Sequence, residues 1–171
     1  MIMADVLKIV FLVLGTLLVL VAYWLASAAL FPAWVARARQ AHESRPVRAT
    51  LLGLVVGVPL LVVGVGMGTG GPNAAARIVG ALVASAPILL ALGGSTGLAL
   101  RIGAGLALPD DERAPWRRVL RGGVVLSLTF LLPVVGWFLV FPWALVSGAG
   151  AALMATRRSA RPVTVPAEVA R

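Results

Sequence analysis

The chain has 171 residues, 60% of them hydrophobic and 12% charged, and it carries a net charge of +9. A soluble domain of this length has about 25% charged residues, so the composition excludes an ordinary water-soluble globule and leaves room for one membrane bundle. There is no cysteine, which excludes disulfides, thiolate catalysis and Cys-ligated zinc or iron–sulfur centres.

Uncharged runs cover Ile9 to Ala36, Ala49 to Ala76, Ile78 to Leu100 and Gly122 to Thr156. Each exceeds the roughly 18 residues that mark a spanning candidate. The first span is expected at residues 7–30, closed by "FPAW", where Pro32 ends the hydrogen-bond ladder and Trp34 suits the headgroup level. Its apolar run is longer than the about 7–15 residues of a signal-peptide core, so an uncleaved span is expected. The following "ARARQAHESRPVRA" reads as a polar loop. A second span is expected at residues 50–67, a turn at "GTGGPN", and a third span at residues 75–95. Arg101 would be costly at mid-bilayer, by about 2.5–3.5 kcal/mol, and is placed near an interface with its guanidinium snorkelling to the headgroups. Pro109 and Pro115 break the linker that follows, and Pro115 with Trp116 opens the next helix.

The 14 Arg and single Lys cluster in short loops and in the tail, as topology and anionic headgroups require, and no nucleic-acid-reading motif accompanies them. The loop after span 1 carries Arg37, Arg39, Arg45 and Arg48, and the loop after span 3 carries Arg113, Arg117, Arg118 and Arg121. Between spans 2 and 3 only Arg77 occurs. Positive loops face the cytoplasm, which puts the N-terminus outside.

From Arg121 to Arg157 there are 35 intervening residues without an ionisable side chain. One straight helix of that length would reach about 52 Å, against about 30 Å of hydrocarbon. It would also carry Arg157, Arg158 and Arg161 outside, against the charge rule. A hairpin returning them to the cytoplasm is expected instead, with arms at residues 116–132 and 137–155. Pro133 and Gly136 make its turn, the glycine by accepting a left-handed conformation. Full crossing and partial re-entry both remain open on length alone.

In span 2, Gly53, Gly57, Gly64 and Gly68 fall within about 60° of one another on a helix, a smooth stripe suited to close packing. Ala144, Gly148 and Ala152 repeat the pattern in the second hairpin arm. These faces predict either packing within the chain or a homo-oligomer interface. "GVGMGTGG" lacks the lysine and the preceding strand of a phosphate loop. "GGSTG" places Ser95 and Thr96 in flexible backbone near membrane depth, where exposed carbonyls and hydroxyls would line a permeation path. The competing reading is hydroxyls bonded back to their own helix. Asp110, Asp111 and Glu112 read as exposed partners of neighbouring arginines, and His42, the only histidine, as a solvated loop residue. No acid, Lys or His lies well inside a span, and no catalytic set, metal cluster or dinucleotide motif occurs. No enzyme, cofactor or metal is therefore expected.

Leu132-Pro133-Val134-Val135-Gly136-Trp137, followed by Gly148-Ala149-Gly150-Ala151-Ala152-Leu153, resembles a C-terminal membrane hairpin of assorted bacterial proteins, among them membrane-anchored relatives of the bactofilins. The resemblance covers residues 121–155 and departs from that group in lacking its β-helical polymer domain. It implies membrane anchoring or assembly and carries over no catalytic residue. Arg in place of Lys and abundant Ala, Val and Gly point to a high-GC bacterium.

The expected molecule is an all-α polytopic integral membrane protein with three transmembrane helices plus a C-terminal helical hairpin. Residues 1–156 form a single bundle and residues 157–171 a basic cytoplasmic tail. Its expected role in the bacterial inner membrane is structural or accessory, associating with itself or a larger complex through glycine-lined faces. The alternative is a subunit of a small-solute channel or transporter with its path at Ser95 and Thr96.

Overall fold

The computed structural model describes residues 2–106, 114, 116–132 and 134–159. Every element in them is helical. Helix α1 (Ile2–Leu30) is uncharged from Ile9 onward and stops at Phe31, which adopts a non-helical conformation ahead of Pro32. The residue before a proline is pushed out of the helical region, while proline itself is well suited to the first turn of a new helix. Helix α2 (Pro32–Ser44) begins there and ends at Arg45, ahead of Pro46. This corrects the expected loop. Its charges mask a helical stripe of Val35, Ala38, Ala41 and His42, and all four are buried.

Helix α3 (Pro46–Leu52), a wide π-helical segment (Gly53–Gly57) and α4 (Val58–Gly70) form one rod of 25 residues. Helix α5 (Ala74–Gly105) follows a short turn, its first amides capped by Asn73, whose side chain accepts from Ala76 N at 2.8 Å. It is 32 residues long, about 48 Å, and runs unbroken through Pro87 and through "GGSTG". The helix at the third expected span therefore runs ten residues past its expected C-terminal end, and Ser95 and Thr96 are helical rather than in flexible backbone.

Helix α6 (Trp116–Phe130), a turn, a second π-helical segment (Gly136–Val140) and α7 (Phe141–Ser159) complete the described chain. Four segments are long and apolar enough to cross a membrane: Met3–Leu30, Pro46–Gly70, Ala74–Gly105 and Gly136–Arg157. Helix α6 is shorter and two-faced, burying Val119, Gly122, Gly123, Leu126, Ser127 and Phe130.

Helix α5 is the axis of the molecule, packed by α1, α2, α4, α6 and α7. The chain reverses between α6 and α7. Gly122 lies against Ala99 and Gly103 of α5, whereas Gly148 lies against Ala91 and Gly94. The two arms sit on different parts of α5 and meet at the turn, where the Phe130 and Phe141 rings stand edge to face with centres 5.2 Å apart. Gly136 does not take a left-handed conformation; no described glycine does. Glycine is required there by space, because a β-carbon would overlap the carbonyls of Thr129 and Phe130. Pro133 lies outside the described residues.

Candidate functional site

The small residues make several backbone seams. Along the α3–α4 rod the expected stripe is shared between two neighbours. Gly53 faces the Val146 carbonyl of α7, and Gly57 meets the Ala149 side chain, whereas Gly64 abuts Ala84 of α5 and Gly68 faces Gly80 and Ala81. A second seam sets Gly94 of α5 against Gly148 of α7, and a third sets Gly103 and Ala99 against Gly122 of α6. Ala144 and Ala152 are buried, the former in a core with Trp24, Leu98, Val119, Leu126 and Phe130. A smaller core joins Ala38 and Ala41 of α2 to Ala49, Ala151 and Ala155. Each of these glycine faces is packed against a neighbouring helix of the same chain, the first of the two arrangements that the stripe predicts.

Ser95 and Thr96 are buried, at 2% and 0% exposure. Ser95 Oγ donates to the Leu92 carbonyl at 2.7 Å and accepts from Trp24 Nε1 at 2.9 Å, tying α1 to α5. Thr96 Oγ1 has no protein partner. A nearby cavity of about 410 Å³ is lined by Tyr23, Ser27, Trp34 and Gly93 and reaches neither Ser95 nor Thr96.

His42 is 1% exposed, against the expectation of a solvated loop residue. Its Nδ1 lies 2.9 Å from the Ala38 carbonyl, which makes Nδ1 the protonated nitrogen, and Nε2 is buried without a partner. Burial, with a smaller push from the nearby Arg101 charge, holds the imidazole below its usual value of 6.5 and neutral; the Ala38 bond opposes this. Arg101 reaches across from α5 and donates from Nη1 to the His42 carbonyl at 2.7 Å, capping the last turn of α2. Its guanidinium has a protein partner and does not depend on headgroups for one.

The described arginines other than Arg77 gather at one end of the bundle. Arg39 lies beside Gly97 and pairs with Glu43 at 2.7 Å. Arg118 abuts Gly103 through its backbone, and Arg121 donates to the Leu106 carbonyl at 2.7 Å. Arg117 stacks over Trp116 at 5.7 Å, Arg37 is half-buried, and Arg157 is exposed near the end of α7. Arg77 stands 24 residues before Arg101 on α5, about 36 Å away, with its Nε donating to Gly71 O. The Arg158 side chain, Arg161, the remaining tail and the acids Asp110, Asp111 and Glu112 lie outside the described residues.

Two features were not singled out in the sequence, and only the first was readable there. Gly53 and Pro59, and Gly136 and Pro142, have the same G-x5-P spacing, and in both the glycine opens a π-helical segment that ends just before the proline. In both, the amide five residues after the glycine, Val58 N or Phe141 N, bonds back to the glycine carbonyl. The wider turn relieves the clash of the proline ring with the preceding turn. The second feature is an apolar cleft of about 300 Å³, lined by Pro87, by Gly53, Gly57 and Val58 ahead of Pro59, and by Phe141 ahead of Pro142.

The fold and these seams define an all-α bundle with four membrane-length apolar helices, rigidified by backbone contact. No protein-family model, curated protein or solved structure matches the chain.

Proposed function

We propose that the chain is an integral protein of a bacterial cytoplasmic membrane that serves as a structural or accessory subunit of a larger membrane assembly. In this reading α1, the α3–α4 rod and α5 cross the bilayer, with the N-terminus outside. The α6–α7 hairpin re-enters from the cytoplasmic side. Leu131 and Trp137 of its turn flank a cleft with Leu12 to Leu17 in the middle of α1, while Ile2–Phe11 continues about 15 Å further. The arginine end faces the cytoplasm, where anionic headgroups supply counter-charge at about 1 kcal/mol per residue. The resemblance of residues 121–155 to a bacterial membrane hairpin is in keeping with an anchoring role.

The observation that carries the accessory reading is the state of α1. One face of it is uncovered: a β-carbon added at Gly15 would meet nothing within 4 Å, and Phe11 and Leu18 are 69% and 71% exposed. An apolar face that its own chain leaves uncovered suits a partner helix within the membrane. A photo-crosslinking side chain at Phe11 or Leu18, activated in intact membranes, tests this. A discrete protein adduct is expected, and its mass tells a foreign subunit from a second copy. Lipid adducts alone would contradict the reading.

A further inference from the structure

Two helices interrupted at their G-x5-P segments and the Pro87 turn of α5 meet at one cleft. Its walls are Thr16 and Leu20 of α1, Val58 and Leu61 of α4, Ile88 and Leu92 of α5, and Phe141 and Leu145 at the start of α7. Membrane proteins concentrate ligand sites where helices are broken at corresponding places, because the widened backbone leaves room that regular packing would close. Here that room is about 300 Å³, at the small end of the about 300–1,000 Å³ typical of ligand pockets.

The lining decides the occupant. Its one hydroxyl, Thr16 Oγ1, already donates to the Leu12 carbonyl at 2.8 Å, so a water or polar solute would find no set of partners. A helix is about 10–12 Å across with its side chains and cannot enter. Ile88 and Phe141 are exposed, so the cleft opens to the outer surface of the bundle. A second apolar cleft of about 140 Å³ shares Thr16, Leu20 and Phe141 with it and lies between α1 and the hairpin turn. The middle of α1 is thus flanked by two apolar gaps.

We infer that the larger cleft holds an acyl chain of a bilayer phospholipid, which fills the space between α1 and the bundle. This rests on the membrane-spanning reading above. The thin, flexible hydrocarbon chain satisfies both limits, of size and of polarity, and fills by van der Waals contact a space that side chains leave open. The wider turns ahead of Pro59 and Pro142 leave the gap that regular helices would close.

The test uses the full chain in liposomes of phosphatidylethanolamine and phosphatidylglycerol containing a phospholipid with a mid-chain diazirine. After irradiation, label is expected to concentrate on Leu61, Ile88 and Leu145. Ile88→Trp at the exposed mouth, and independently Leu61→Phe from the facing helix, should each reduce that labelling severalfold, because the added ring occupies the space of the chain. Leu82→Trp, on an exposed part of α5 outside the cleft, should leave it unchanged. Thermal unfolding of each variant verifies that it is folded. Label spread evenly over the exposed residues of α1, α4 and α5, or insensitive to both cleft variants, would overturn the inference while leaving the membrane reading intact. No label anywhere on the chain would overturn both.

Discussion

At the residue scale, the decisive quantity is the space beyond each glycine. Gly64 and Gly57 belong to one sequence stripe, yet a methyl at Gly64 would collide with the Ala84 backbone, whereas one at Gly57 meets the Ala149 methyl at 3.4 Å. Overpacking costs about 1–3 kcal/mol, and alanine gains about 1 kcal/mol over glycine in helix propensity. Gly64→Ala is therefore expected to lower the thermal midpoint in mild detergent, and Gly57→Ala to leave it unchanged or raise it. Equal behaviour would mean that the stripe does not set the packing. His42 gives a second prediction. Burial depresses its folded pKa below the 6.5 of the free side chain, so the unfolded chain binds the proton more readily. The contribution is fully present above pH 6.5 and is lost as pH falls from there through the depressed value. Stability followed by denaturation should decline across that window, and His42→Leu should flatten the decline. An unchanged slope in the variant would assign the pH dependence to other groups.

At the element scale, α2 is the sharpest test, because a polar loop and a packed helix expose different residues. The absence of native cysteine makes single-cysteine labelling clean. Gln40→Cys and Glu43→Cys should react readily with a water-soluble maleimide, and Ala38→Cys and Ala41→Cys slowly; uniform reactivity would restore the loop. The long apolar elements were legible in the sequence because hydrophobic length alone marks them. Helix α2 was not, since four arginines around it read as topology signals and hid the Val35–Ala38–Ala41–His42 face. "GGSTG" was misjudged for a related reason. Consecutive glycines lower helix propensity, but Gly94 and Gly97 lie where α7 and α2 come within backbone contact, and that packing outweighs propensity. The G-x5-P pairs were visible as spacing, but their effect on helix geometry emerges only with the fold.

At the scale of the whole molecule, the account rests on one asymmetry: the described arginines crowd one end of the bundle, and Arg77 with the Gly71 turn marks the other. The apolar lengths between those ends match a bilayer, and the reversal between α6 and α7 brings Arg157 back to the crowded end. The most direct measurement is single-cysteine accessibility in intact cells and after permeabilisation, using Ser44→Cys, Asn73→Cys and Thr156→Cys with a membrane-impermeant maleimide. The account predicts that Asn73→Cys is labelled in intact cells, while Ser44→Cys and Thr156→Cys are labelled only after permeabilisation. Labelling of Thr156→Cys from outside, or equal labelling of Ser44→Cys and Asn73→Cys in intact cells, would contradict it.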